Sequence, residues 1–246
     1  MLSVTPIPVL KDNYAYFLED QATGETAVVD PSRALEVEAF LERQEKGLTY
    51  ILNTHHHWDH VGGNEDLAKG HGARVVGFKG DRGRLPGQSV FLEDNEIFAL
   101  GASRARVLHI PGHTLGHVAY YFEEDACVFT GDTLFHLGCG RLFEGTPDQM
   151  WTSLLRLAAL PQDTRVFCGH EYMLLNLAFA RYIAPQDKEL EDLVLDFERA
   201  RAKGEALVGF PLSFEMRFNP FLRCLLDAPG EALALFTRRR LEKDAF

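Results

Sequence analysis

His55-His56-His57-Trp58-Asp59-His60 stands two residues beyond the apolar run Tyr50-Ile51-Leu52. Four imidazoles and a carboxylate in six positions make a poor packing segment but a good metal site. Imidazole nitrogen and carboxylate oxygen are the donors that bind zinc and its first-row neighbours. In extended chain, residues two apart point the same way. His55 and His57 can therefore close on one cation while Asp59 and His60 face a second. A His-rich surface loop is the plain alternative, and the rest of the chain must decide by supplying the missing ligands or failing to.

Three later segments supply them. The apolar run 107–110 is followed by Pro111-Gly112-His113, the run 126–129 by Thr130-Gly131-Asp132, and the run 165–168 by Gly169-His170. Each reads as a strand that ends at a glycine and then delivers one metal-competent side chain. Glycine there lets the backbone turn sharply and approach closely. Two catalytic cations need about six or seven protein donors with positions left for water. His55, His57, Asp59, His60, His113, Asp132 and His170 make that number. The expected allotment gives His55, His57 and His113 to one metal and Asp59, His60 and His170 to the other, with Asp132 bridging. A lone His113 or His170 would ordinarily read as a hydrogen-bonded structural histidine, but the repeated strand-plus-glycine pattern argues for ligands. His117 is left as outer support for a ligating imidazole, His56 as filler, and His71, His109 and His136 without a role. Asp30 fits either such support or a turn before Pro31.

The chain has 246 residues, 46% hydrophobic and 11% aromatic, and a formal net charge of -11. This suits one large domain, or a main domain with an appendage, around a substantial core. The acidic balance argues against nucleic acid or an anionic membrane as partner. Cys127, Cys139, Cys168 and Cys224 are widely spaced, which suggests neither a disulfide framework nor a thiolate zinc site. There is no apolar run long enough to span a bilayer and no secretory leader pattern, so a cytoplasmic protein is expected.

Antiparallel strands are expected at 3–9, 14–19 and 25–30, with Ser32 as N-cap of a helix stopping near Gly47. Further strands are expected at 49–52, 73–77, 89–92, 96–100 and 104–110, with a short helix over 65–69. Thr146-Pro147-Asp148-Gln149 is a well-formed start, with Thr146 as N-cap and Gln149 completing a capping box, for a helix to about Leu160. Beyond His170 no strand is expected; 171–183, 188–202, 219–226 and 231–241 read as helices. A boundary therefore falls near 170, dividing the chain into 1–170 and 171–246.

Thr54-His55-His56-His57-Trp58-Asp59-His60 resembles the THxHxDH signature of the metallo-β-lactamase superfamily, and the His113, Asp132 and His170 segments resemble its later ligand motifs. The resemblance implies an α+β fold, an αββα sandwich with two divalent cations at one edge, followed by an all-helical C-terminal domain. More narrowly, five segments resemble the glyoxalase II (hydroxyacylglutathione hydrolase) family. They are Pro111-Gly112-His113-Thr114-Leu115-Gly116-His117, Gly131-Asp132-Thr133-Leu134-Phe135, Gly138-Cys139-Gly140-Arg141, Phe143-Glu144-Gly145-Thr146 and Gly169-His170-Glu171-Tyr172. Asn219-Pro220-Phe221-Leu222-Arg223 and Arg240-Leu241-Glu242-Lys243-Asp244 extend the similarity over essentially the whole chain. It implies that 1–170 carries the metals and that 171–246 binds glutathione, with contacts from Arg141, Phe143, Tyr172, Arg240 and Lys243. The chain departs from the family at Arg141, often lysine, at Phe143, often tyrosine, and at 211–216, where a Ser-Thr-rich stretch is usual. Before the resemblance, Arg238-Arg239-Arg240 reads equally as cations near a helix C-terminus.

The implied chemistry is thioester hydrolysis. A metal-bridging hydroxide attacks S-D-lactoylglutathione, or another S-2-hydroxyacylglutathione, releasing glutathione and a 2-hydroxy acid in the second step of methylglyoxal detoxification. Asp59 and Asp132 are the residues on which catalysis is staked. Zinc is the expected metal, with iron or manganese accommodated by the same donors, and a monomer is expected. Three rivals stand beside this. One is a persulfide dioxygenase of the same fold, with one iron on His55, His113 and Asp132. The second is a nuclease or phosphodiesterase, disfavoured by the charge. The third is a non-catalytic metal-binding module, for which seven ligands are too many.

Overall fold

The structure is a computed structural model describing residues 1–246. Contacts group the chain into two compact units, Met1–His109 with Gly116–Gly131, and Ile110–Leu115 with Asp132–Phe246.

In the first unit, β1 (Leu2–Val9), β2 (Asn13–Asp20) and β3 (Thr26–Val29) form an antiparallel meander. Helix α1 (Ala34–Gln44) crosses to β4 (Tyr50–Leu52), which lies parallel to β3. Helices α2 (Trp58–Val61) and α3 (Asn64–His71) lead into β5 (Arg74–Phe78) and then β6 (Gln88–Leu92), each parallel to its predecessor. These six strands lie in sequence order in one sheet. Strands β7 (Ile97–Leu100), β8 (Ser103–His109), β9 (Val118–Phe122) and β10 (Cys127–Gly131) pair antiparallel.

Period-two alternation sorts the first sheet's side chains. Ala15, Phe17, Val28, Ile51 and Val75 pack with Val37, Phe40 and Leu41 of α1 and Leu67 of α3, and the Phe17 and Phe40 rings are 5.1 Å apart. The opposite face meets the second set of strands. Tyr16 packs on Phe129 at 5.4 Å and Tyr50 edges onto Phe98 at 5.0 Å. The Tyr120 hydroxyl donates to the Asn53 carbonyl at 2.9 Å. Burial pushes its pKa well above the ordinary value, so it stays a donor. Strand β9 was not expected from the sequence: all its residues are buried, so no alternation marks it. Ser32 is not the cap of α1. The N-cap is Arg33, without a side-chain bond, and the helix ends at Gln44, where Glu45 turns left-handed at φ 53.

The second unit opens with the hairpin β11 (Leu134–Phe135) and β12 (Gly138–Cys139). Helix α4 (Pro147–Ala158) follows, with the expected capping box closed in both directions between Thr146 and Gln149. After β13 (Arg165–Cys168) come α5 (Met173–Ile183), α6 (Lys188–Ala202), β14 (Phe210–Pro211), α7 (Leu212–Phe218), α8 (Cys224–Asp227) and α9 (Ala232–Ala245). Strand β14 pairs antiparallel with β13; two residues are too few to show a period. The helix expected over 219–226 shrinks to α8, because Asn219 is extended at ψ 116 ahead of Pro220, as a residue before proline prefers. Helix α9 runs on to Ala245, so Arg238-Arg239-Arg240 lies in its interior, away from the C-terminal dipole.

A buried polar network ties α7 to the hairpin. Glu215, with no exposed surface, accepts from His136 Nδ1 at 2.7 Å, the Leu137 amide at 2.9 Å and Asn219 Nδ2 at 3.0 Å. Asn219 also donates to the Gly138 carbonyl at 3.0 Å, and Asn176 to the His136 carbonyl at 2.9 Å. A carboxylate out of water needs this many donors.

Two outcomes follow for urea denaturation. Thr146→Ala opens the capping box and should cost about 1 kcal/mol. Glu215→Ala leaves the buried donors of His136, Leu137 and Asn219 without their acceptor and should cost about 1–3 kcal/mol for each donor left unpaired.

Candidate metal centre

Beyond β4 the chain stays extended through His57 (φ -61, ψ 144) and then winds into the single turn α2. The His55 ring lies 4.7 Å from His57 and 4.1 Å from His60, and it stacks on His117 at 4.6 Å. Asp30 lies behind them, 2% exposed and left-handed at φ 48. Its carboxylate accepts from the Thr54 amide at 2.8 Å, the Thr54 hydroxyl at 2.6 Å and His60 Nδ1 at 3.0 Å. Asp30 is thus no mere turn residue. One ligand atom from each of Asp30, His55 and His60 lies within 4.8 Å of the others.

The hydrogen bonds assign the tautomers. The single Thr54 hydroxyl proton goes to Asp30, so its oxygen accepts from His55 Nδ1, 3.0 Å away. With Nδ1 the protonated nitrogen in both His55 and His60, each keeps the Nε2 lone pair for a cation. Gly131 allows the close packing here. It has φ 47, and a Cβ on it would sit 2.3 Å from Thr54 Oγ1 and 2.8 Å from His117 Cε1. His56, which the sequence left as filler, lies 3.3 Å from Asp81 Oδ2, and Arg84 reaches His56 Nε2 at 2.6 Å. Asp59 is partly exposed, with Oδ2 3.9 Å from His60 Nε2.

The second unit repeats the pattern. His113 Nδ1 donates to the Arg141 carbonyl at 2.9 Å, so its Nε2 also keeps a lone pair. His113 Nε2 and His170 Nε2 lie 3.5 and 3.4 Å from one oxygen, Asp132 Oδ2. Tyr172 stacks on His170 at 4.7 Å and 6°. Gly140 has to be glycine, since a Cβ would stand 1.9 Å from the Asp132 carbonyl and 3.1 Å from His113 Nδ1. Neutral imidazoles with oriented Nε2 atoms, beside carboxylates, are a donor set suited to divalent cations.

The residues expected to meet substrate differ in availability. Arg141 and Phe143 are exposed, and the Phe143 ring edges onto His113 at 5.1 Å. Arg240 is buried. Its guanidinium donates to the Cys139 carbonyl at 2.8 Å and Asp244 at 2.9 Å, and lies over Phe221. Arg239, equally withdrawn, bonds the Pro220 carbonyl at 2.6 Å and Asp227 at 2.8 Å. Lys243 bonds the Leu175 carbonyl and lies over Phe179 and Phe246. Burial, then Arg240 and Arg141, bring its pKa down to about 8. All four cysteines are free and buried; burial pushes Cys139 up to about 11 and Cys168 to about 12, so these thiols stay protonated.

Sequence reasoning missed Thr54, Asn13, Asp81 and Glu215. Each acts on a partner at least twenty residues away or through a backbone amide, and residue spacing carries no sign of either.

Residues 10–170 match the Metallo-beta-lactamase superfamily and residues 171–246 the Hydroxyacylglutathione hydrolase C-terminus. The hydroxyacylglutathione hydrolase of Methylococcus capsulatus is 50% identical, covering 100% of this chain and 99% of that one. The enzyme of that name from Rhodospirillum rubrum is 47% identical with the same coverage. Among solved structures, TTHA1623 in a di-iron-bound form is 28% identical with a TM-score of 0.63, covering 89% of this chain and 100% of that one. ETHE1 from Myxococcus xanthus, at 24% identity and a TM-score of 0.72 over 98% of this chain and 89% of that one, shares the fold. The α+β metallo-β-lactamase fold with a helical C-terminal region is therefore as expected, and the chain belongs to the hydroxyacylglutathione hydrolase family.

Proposed function

We propose that this chain hydrolyses S-2-hydroxyacylglutathiones, S-D-lactoylglutathione foremost, to glutathione and a 2-hydroxy acid, the second step of methylglyoxal detoxification. The carrying observation is full-length similarity at 50% identity to a protein named for that reaction. The oriented imidazoles in both units support it. These findings favour hydrolysis over the one-iron dioxygenase reading. His55, His57 and His113 would hold one cation and Asp59, His60 and His170 the other, with Asp132, whose Oδ2 faces two imidazoles, shared between them. Zinc suits these donors, as do iron and manganese.

When bound, the cations supply Lewis acidity, lowering the pKa of a coordinated water from 15.7 toward about 7 and polarising the thioester carbonyl. The chain's own residues do the rest. Asp30 and Thr54 hold His55 and His60 in one tautomer, and the Arg141 carbonyl does the same for His113. The glutathione thiol leaves readily because its pKa is near ~8.5, so no side chain need act as a strong general acid. Arg141 and Lys243 offer positive charge to the tripeptide carboxylates, Phe143 and Tyr172 offer ring surface, and Arg240 adds charge from behind. In this division of labour 1–170 carries the chemistry and 171–246 the recognition, in a cytoplasmic monomer.

Metal analysis alongside hydrolysis of S-D-lactoylglutathione tests the core of this. About two metals per active chain are expected, and fewer than about one and a half would contradict it. Asp132→Asn should lower kcat/KM by at least about 100-fold. A pH series tests Lys243. With its pKa near 8, the ammonium is charged below that pH and neutral above it. KM for the anionic substrate should hold steady up to about pH 8 and rise beyond it. Lys243→Met should give a raised KM without that inflection.

A further inference from the structure

We infer that Asn13 is a positioning residue for Asp59, holding that carboxylate in the rotamer a cation needs. The inference rests on the reading of Asp59 as a metal ligand. Asn13 begins β2, paired in register with Val9 across the short connection 10–12, where Leu10 is left-handed at φ 53. This tight turn leaves the side chain little slack, and the residue is 5% exposed. Its amide nitrogen donates to the Asp59 carbonyl at 3.1 Å and to Asp59 Oδ2 at 3.3 Å. Both partners are pure acceptors, so the NH2 end of the amide must face them.

The backbone half of this grip has a local cause. The amide that would ordinarily bond the Asp59 carbonyl four residues on belongs to Gly63, and it is spent on the Pro31 carbonyl at 2.8 Å. Asn13 supplies a donor there instead. One planar NH2 group thus bonds the main chain and the carboxylate of the same residue, and that fixes the side-chain torsion between them. The carboxylate oxygen so held is the one nearest His60 Nε2, at 3.9 Å. An amide also suits the task electrically. Arginine or lysine would bind the carboxylate harder but would repel the cation, whereas a neutral donor orients it and leaves its charge to be used.

The test is stepwise metal titration of the metal-stripped full chain, with cobalt(II) as a visible-absorption probe, for wild type, Asn13→Leu, Asn13→Ser and Asp59→Ala. Leucine keeps the branched shape and removes both donors; serine keeps one short donor and covers the case in which the bulkier leucine does not fold. The expected result for Asn13→Leu is one equivalent bound about 10–100-fold more weakly, the other unchanged, and one cobalt band altered. Asn13→Ser should fall between it and wild type. Two outcomes overturn the inference: both equivalents of either variant within about threefold of wild type, or both weakened alike, as general damage would do. Asp59→Ala separates the levels. If it still takes two equivalents at wild-type affinity, Asp59 is no ligand and the underlying reading fails. If it loses one while Asn13→Leu keeps both, only the role of Asn13 fails.

Discussion

A buried carboxylate organises the donor set of the first unit. Asp30 sits at the end of β3, buried and left-handed, and its oxygens receive the Thr54 amide, the Thr54 hydroxyl and His60 Nδ1. An unpaired buried charge is among the costliest features a fold can carry. That cost specifies how the segment after β4 must lie: Thr54 points back, His60 turns its Nδ1 inward, and His55 follows through Thr54. The imidazoles are therefore oriented before any cation arrives. The rings are 4.1–4.7 Å apart, so the position of one constrains the others.

Much of this was legible in the chain itself. The spacing within His55–His60 and the strand-glycine-ligand pattern at His113, Asp132 and His170 are local regularities. The capping box at Thr146 is local too, and it formed as read. Strand β9 escaped because burial on both faces erases alternation. Helix α7 escaped because it starts behind Pro211 with no capping side chain. Asn13 opens strand β2 and Asp30 follows strand β3, and nothing local marks either as more than that. Their second task is visible only once strands far apart in sequence are paired.

The basic run Arg238-Arg239-Arg240 shows the limit from the other side. Read as sequence, it is a patch of charge at a helix end. Folded, two of its guanidinium groups are withdrawn against main-chain carbonyls and Asp227 or Asp244. Arginine's planar fork allows this, since it can bond a carbonyl and a carboxylate at once while remaining charged. Composition alone cannot say whether a cation faces solvent or serves as a bracket, because that depends on what the helix is packed against.

The Glu215 network has a consequence for the order in which the molecule is made. His136 and Leu137 leave the ribosome 79 and 78 residues before the carboxylate that receives their protons. Until α7 emerges, the hairpin that follows Asp132 lacks its inner partner, and the loop closure it waits for is long-range and slow. The Asp30 carboxylate takes its donors from Thr54 and His60, over a much shorter span of chain. The hairpin's buried network thus closes only when α7 is in place.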